Sequence, residues 1–301
     1  MKLFKLIAVL GLALALAVVE AQAKAPKKIL FFSKSADFEH SAIKRNGTEP
    51  SYVEKVLKEL GEKNNFEFTF TKDGTVFTKE NIKNYDAFFF YTTGDLTEVG
   101  KDGNPAMSPE GKAAFLEAIH KGKGFIGTHS ATDTFHSPGN KAHTPARFID
   151  DGDKADPYVK MIGAEFIKHG SQQKARMIIA DKKFPGMNAV PDNFGPPEEW
   201  YSLKDFAPNL HVLLVQDTTT MRKSGADSVY DRPPYPATWA HMYGKGRVFY
   251  TNMGHREDTW TNSVFQSVLI GGINWAVRNV KADVTPNIKE VAPEASILPK
   301  E

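Results

Sequence analysis

The chain has no cysteine in its 301 residues. That excludes disulfides, thiolate metal sites and a cysteine nucleophile, so the fold rests on packing alone. Net charge is also scarce: 38 Lys+Arg against 36 Asp+Glu give +2 at pH 7. A nucleic-acid groove needs a basic face, and this balance argues against that partner. No internal repeat, heptad, nucleotide fingerprint or Walker loop occurs, and Gly244-Lys245-Gly246 reads as a turn between strands rather than a phosphate cradle.

Long apolar runs are lacking too, apart from Leu6 to Val19. That run follows Lys2 and Lys5 and precedes Ala21-Gln22-Ala23. A positive start, a short apolar stretch and an Ala-x-Ala end form a signal peptide over residues 1–23, so the protein is expected to be exported, periplasmic or secreted. The run is short for a bilayer span, and no stable membrane insertion is expected after cleavage. Without a cysteine near its end, a lipid-anchored form is excluded. Cleavage leaves 278 residues and a formal charge of +1, enough for one large core with long loops. Residues 24–283 are therefore expected to form one domain, with 284–301 as an irregular tail.

What is present is an alternation of strands and helices. Ile29 to Phe32 is apolar without alternation, as a strand buried on both faces is. A polar loop, Lys34 to Asn46, contains Asp37, His40 and Arg45 and leads into a helix from Tyr52, with Gly61 expected as its C-cap. Further strands are expected at Phe66 to Phe70, Tyr85 to Tyr91, Gly124 to Thr128, Lys174 to Ala180, Leu210 to Val215 and Arg247 to Thr251. Helices are expected at Thr78 to Asn84, from Pro109 to near Gly122, and from Asn262 to Val277. Strand, crossover helix, strand is the grammar of a parallel sheet. Residues 132–158 break the rhythm with Pro, Gly, Asp and His, and are expected to be a long loop acting as a lid or pocket wall.

In such a sheet the site lies where strands end at their carboxyl edge. His129 and His255 each follow a strand, His169 follows an apolar segment, and Glu199 precedes Trp200-Tyr201. Three imidazoles and a carboxylate can work as acid and base near neutral pH. The same four, His129, His169, His255 and Glu199, can equally ligate zinc or a similar divalent metal, and the spacing leaves both readings open. Asp133 and Arg256 are candidate substrate contacts. Trp200, Tyr201 and Trp239 could offer the apolar faces on which a sugar stacks, although aromatic residues alone do not single out a small carbohydrate as the partner.

At these residues the chain resembles the ThuA-like (trehalose utilisation) family, related to the class I glutamine amidotransferase fold. The pieces that carry the likeness are Gly124-Phe125-Ile126-Gly127-Thr128-His129-Ser130-Ala131, Phe166-Ile167-Lys168-His169, Glu199-Trp200-Tyr201, Pro236-Ala237-Thr238-Trp239 and Tyr243 to His255. The resemblance implies a flavodoxin-like three-layer α/β sandwich with a mostly parallel central sheet. True amidotransferases place a cysteine at the sharp turn that Thr128-His129-Ser130 matches here, so ammonia release from glutamine is excluded. It also implies glycosides or oxidised, 3-oxo sugars as substrates, with lyase, hydrolase or isomerase chemistry. A 3-oxo group acidifies the neighbouring C–H, so one imidazole or carboxylate could abstract that proton while another protonates the enolate or the departing oxygen. His129 and His255 would flank the reacting group, His169 would be a partner or ligand, and Glu199 the base or orienter. The alternative is a sugar-binding or scaffold protein that keeps the fold without catalysis.

Overall fold

The computed structural model describes residues 25–140 and 144–300, so the expected signal peptide lies outside the described residues. Eight strands form one sheet: β1 (Lys27–Phe32), β2 (Phe66–Thr71), β3 (Ala87–Phe90), β4 (Gly124–Thr128), β7 (Arg176–Ile179), β10 (His211–Asp217), β11 (Tyr235–Tyr243) and β12 (Gly246–Thr251). Their order is β2-β1-β3-β4-β12-β11-β10-β7. From β2 to β12 every neighbour is parallel, and beyond β12 the pairing becomes antiparallel. Four short strands lie outside it: β5 (Glu165–His169) pairs β9 (Tyr201–Lys204), and β6 (Gln173–Lys174) pairs β8 (Pro197–Glu198).

Alternate residues of each central strand feed two separate cores. Ile29, Phe31, Phe89, Ile126 and Phe249 enter one, with α1 (Tyr52–Asn64), α5 (Glu257–Trp260) and α6 (Ser263–Ala276) packed over it. Leu30, Phe32, Phe88, Phe90, Phe125 and Val248 enter the other, beneath α2 (Lys79–Ile82), α3 (Pro109–His120), α4 (Pro157–Ile162) and α7 (Ile288–Val291). This is the flavodoxin-like three-layer sandwich, and each buried aromatic contributes about 1.5–3 kcal/mol relative to exposure. Among the described residues no helix is long and apolar enough to cross a membrane.

Helix starts follow local chemistry. Ser51 and Glu54 form a reciprocal capping box on α1, and Asn262 accepts two backbone N–H bonds at the start of α6. Four sequence expectations need correction. Gly61 does not cap α1: the helix continues to Asn64 and ends on left-handed Asn65, while a Cβ on Gly61 would lie 2.8 Å from the Phe66 carbonyl oxygen, so its smallness serves packing. Residues 235–243 form a nine-residue strand despite Pro236, which pairs with Val215 where the β10–β11 register is irregular and a missing N–H is tolerated. The tail is not wholly irregular, since α7 packs Ile288 into the core. Segment 132–158 is no mere excursion: Phe135, Ser137, Asn140 and Arg147 are buried, and α4 begins at Pro157.

Candidate metal centre

The parallel strands β1, β4 and β12 end on the same edge, and each is followed by a histidine of the site. β4 runs into a sharp turn in which His129 takes φ +44°, a left-handed conformation that strains a non-glycine residue. Tyr250 holds the turn by donating to the His129 carbonyl at 2.7 Å. After β12, Gly254 at φ +121° turns the chain to present His255. Glu198 fixes that turn, accepting from Gly254 N at 3.0 Å and Thr259 Oγ1 at 2.5 Å. Asn252 brackets the Tyr201 backbone through both side-chain atoms and thereby sets the preceding residue pair, Glu199 and Trp200. Adjacent acids thus do different work: Glu198 is buried structure and Glu199 faces the histidines.

The fourth member of the cluster, His40, carries no site signal in the sequence beyond its place in the polar loop after β1. Its Nε2 lies 3.1 Å from His129 Nε2, which is 3.3 Å from His255 Nδ1. Glu199 Oε2 stands 3.2 Å from His255 Nδ1 and 3.7 Å from His129 Nε2. One donor atom from each of the four lies within 4.8 Å of the others. A zinc ion with bonds of about 2.0–2.1 Å in a tetrahedron needs donors about 3.3 Å apart, so these spacings fit. His169 is more exposed and sits 3.4 Å from Glu199 Oε1, the oxygen turned away from the cluster, and 3.0 Å from the Gly170 carbonyl. Its place is beside the ligand set, not in it, which corrects its nomination as a ligand.

Electrostatics favour the ligand form of two of the three rings. Burial lowers His129 to about 4, outweighing the opposing pull of Glu199. Burial, then the neighbouring His129 and His255, pushes His40 well below its ordinary value. Both therefore keep the neutral, lone-pair form that binds metal. Burial also acts on His255, but its hydrogen bond and charge interaction with Glu199 prevail and raise it. Glu199 is lowered despite burial, because hydrogen bonds from His129 and His255 stabilise the carboxylate. Outer partners orient the rings: His129 Nδ1 faces the Asn252 carbonyl at 3.4 Å, and His255 Nε2 faces Gln172 at 2.9 Å. Ligation through His255 Nδ1 leaves the proton on Nε2, so the Gln172 amide must then turn its oxygen toward it.

The remaining nominated residues fall elsewhere. Tyr201 lies under the cluster, its ring centre 4.2 Å from that of His129 and its hydroxyl 3.5 Å from His40 Nε2. Trp200 and Trp239 are wholly buried and donate their indole N–H to the Gln173 and Ile162 carbonyls, so both are core rather than sugar-stacking faces. Asp133 is held by His136 at 2.7 Å and Arg147 at 3.4 Å in a separate network, not aimed at the histidines. Arg256 is on the rim, forked onto Asp258 and bonded to Gln172 Oε1. Ser130 Oγ is buried without a partner, so no histidine is placed to activate it as a nucleophile. A second acidic group, Asp151, Glu165 and Asp205, already surrounds a cation: Lys204 Nζ lies 2.6 Å from Asp151 and 3.7 Å from Asp205.

Comparison places this geometry among known folds. A ThuA-like protein from Bacteroides uniformis ATCC 8492 superposes with TM-score 0.60 at 19% identity, covering 84% of this chain and 93% of its own. One from Parabacteroides merdae ATCC 43184 gives 0.57 at 20% identity, covering 86% and 92%. At these identities the likeness establishes the fold alone. No curated protein matches the chain. The model of the ThuA family, described as trehalose utilisation, matches residues 28–276, and the chain belongs to that family.

Proposed function

We propose that the protein is a metal-dependent, sugar-processing enzyme whose ion is held by His40, His129, His255 and Glu199. The observation that carries this is the convergence of three ring nitrogens and one carboxylate oxygen, all within 4.8 Å of one another, at a sheet edge. Nitrogen-rich donors with one oxygen suit zinc among the common divalent ions. The family's description, trehalose utilisation, supports trehalose-like glycosides as the substrate class; their 3-oxo forms, which the resemblance implies, carry a carbonyl that can be polarised. When bound, the ion supplies Lewis acidity to a carbonyl or hydroxyl oxygen.

The chain supplies the rest. His169 has its Nδ1 engaged with Glu199 and Gly170, leaving Nε2 to exchange a proton beside a carbonyl or at a departing oxygen. Glu199 shares its two oxygens between the cluster and His169, so proton movement at His169 is felt at the ligand set. Tyr201 and Tyr91 wall the buried side and exclude water. Export belongs to the same proposal and is supported by residues 1–23; N-terminal sequencing of protein recovered from the host periplasm or medium should begin at Lys24.

The test is elemental analysis of protein purified without chelator, followed by NMR of 3-oxo-trehalose turnover with and without chelator. About one zinc per chain and chelator-sensitive cleavage or isomerisation are expected. Chelator-insensitive turnover would leave acid–base catalysis by the same histidines. Saturable binding without turnover would make this a sugar-binding protein on the same fold.

A further inference from the structure

We infer that Phe38 is the stacking platform for a pyranose ring at the mouth of the histidine cluster, an inference that rests on the sugar reading above. Phe38 is 61% exposed, among the most exposed large apolar side chains described. Its ring stands nearly perpendicular to the buried His40 ring, with centres 5.0 Å apart. An aromatic side chain is thus open to solvent directly beside the His40 ring.

The backbone beneath it is fixed. Ser35 bridges Thr93, extending the β1–β3 pairing past the strand ends, and Ala36 N donates to the Thr93 carbonyl at 2.9 Å. Buried Thr93 donates its hydroxyl to the Phe38 carbonyl at 2.8 Å. Farther along the loop, Ser41 donates to Glu257 at 2.5 Å, tying it to the segment that carries His255. A large apolar ring held out to water on a pinned backbone gains nothing by burial within the chain. It gains when an apolar face covers it. Around the other side of the cluster, exposed His169 and Gln172 and half-buried Arg256 are hydrogen-bonding side chains, bonded to Glu199, His255 and Gln172 respectively.

One flat apolar surface among polar groups matches a pyranose, which shows C–H bonds on one face and hydroxyls at its rim. Stacking on Phe38 would set a sugar over His40, with its hydroxyl edge toward the ligand set. The residue is a substrate-binding one and takes no part in proton transfer.

Saturation-transfer NMR and titration calorimetry on zinc-loaded protein, with trehalose and 3-deoxytrehalose, neither of which carries the reactive 3-oxo group, test this. Phe38→Ala should weaken binding about tenfold and Phe38→Trp should preserve it. Ile178→Ala, at an exposed apolar residue on edge strand β7, is the control and should leave binding unchanged. Zinc uptake should be equal in all variants. Unchanged affinity in Phe38→Ala overturns the inference while leaving the metal centre standing. Loss of zinc in Phe38→Ala also overturns it, because the ring would then act by holding His40. If the wild type binds zinc but neither sugar, the sugar reading fails and the platform with it.

Discussion

His40 carries more of the site than its sequence context reveals. It follows β1 and obeys the strand-end argument that nominates His129 and His255, yet β3 lies between β1 and β4 in the sheet. The Ser35–Thr93 bridge and the Thr93 hydrogen bond to the Phe38 carbonyl, which carry the loop across the end of β3, bring it to His129. A loop eight residues past a strand end has no periodicity from which that crossing can be read. Two outcomes follow at this scale. His40→Ala should lose zinc as completely as His129→Ala, whereas His169→Ala should weaken metal affinity about 10–100-fold and retain stoichiometric zinc when the ion is in excess, as orienting residues do; calorimetric zinc titration separates them. Gly254→Ala should lower Tm by about 2–10 °C, since a Cβ there meets nothing closer than 3.4 Å and the penalty is the backbone conformation at φ +121°. Its zinc affinity should fall with it, because His255 follows directly. A scan with wild-type Tm and affinity would refute that account of the turn.

Elements were legible where one force governed them. Runs such as Ile29 to Phe32 announce strands because both faces are buried, whereas Pro236 obscured β11 because its cost is absorbed by an irregularity on a neighbour far away in sequence. Segment 132–158 was read as a lid for lack of apolar periodicity, but its anchors are polar. His136 lies between Asp133 Oδ1 at 2.7 Å and Glu165 Oε1 at 2.8 Å, and Glu165 also accepts from Ser137 and Asn140. Burial and the Arg147 charge oppose protonation of His136, but the two carboxylates prevail and raise it. A raised histidine gives stability that is complete below its unfolded value, about 6.5, and lost as pH climbs through the higher folded value. The Tm difference between wild type and His136→Asn should therefore be largest near pH 5 and shrink by a few degrees above neutrality. A difference that grows with pH would mean the imidazole is neutral in the fold. Because Asp133 closes the turn that begins with His129, this clamp also steadies the elbow of the metal centre.

At the scale of the whole molecule, the resemblance implies the three-layer sandwich, but neither the division into two cores nor the closure of the antiparallel end is legible in the sequence. Prolines spaced through 284–301 conceal the role of that segment, since it contributes single contacts rather than a pattern. Asn287 continues the edge of β10: its N–H donates to the Leu210 carbonyl at 3.1 Å, and its side chain accepts from Val212 N at 2.7 Å. Ile288, Ala292 and Ala295 are buried against the core beneath β10 and β11. Arg232, 4% exposed, donates to the Leu203 and Ala295 carbonyls at 2.6 Å each, and burial pulls it down to about 10. Deleting residues 284–301 removes the buried isoleucine and both alanines, uncovers the core surface they pack against and takes a partner from that buried guanidinium. The combined loss is on the order of 4 kcal/mol. That lowers Tm by about 10 °C for a chain of this size. The candidate metal centre lies past the ends of β1, β4 and β12 and draws no residue from the tail, so zinc affinity measured well below the new Tm should stay within about threefold of the full chain. Equal Tm values would show the tail to be an appendage, and a lost zinc site would show that the two halves of the sheet do not fold independently of their closure.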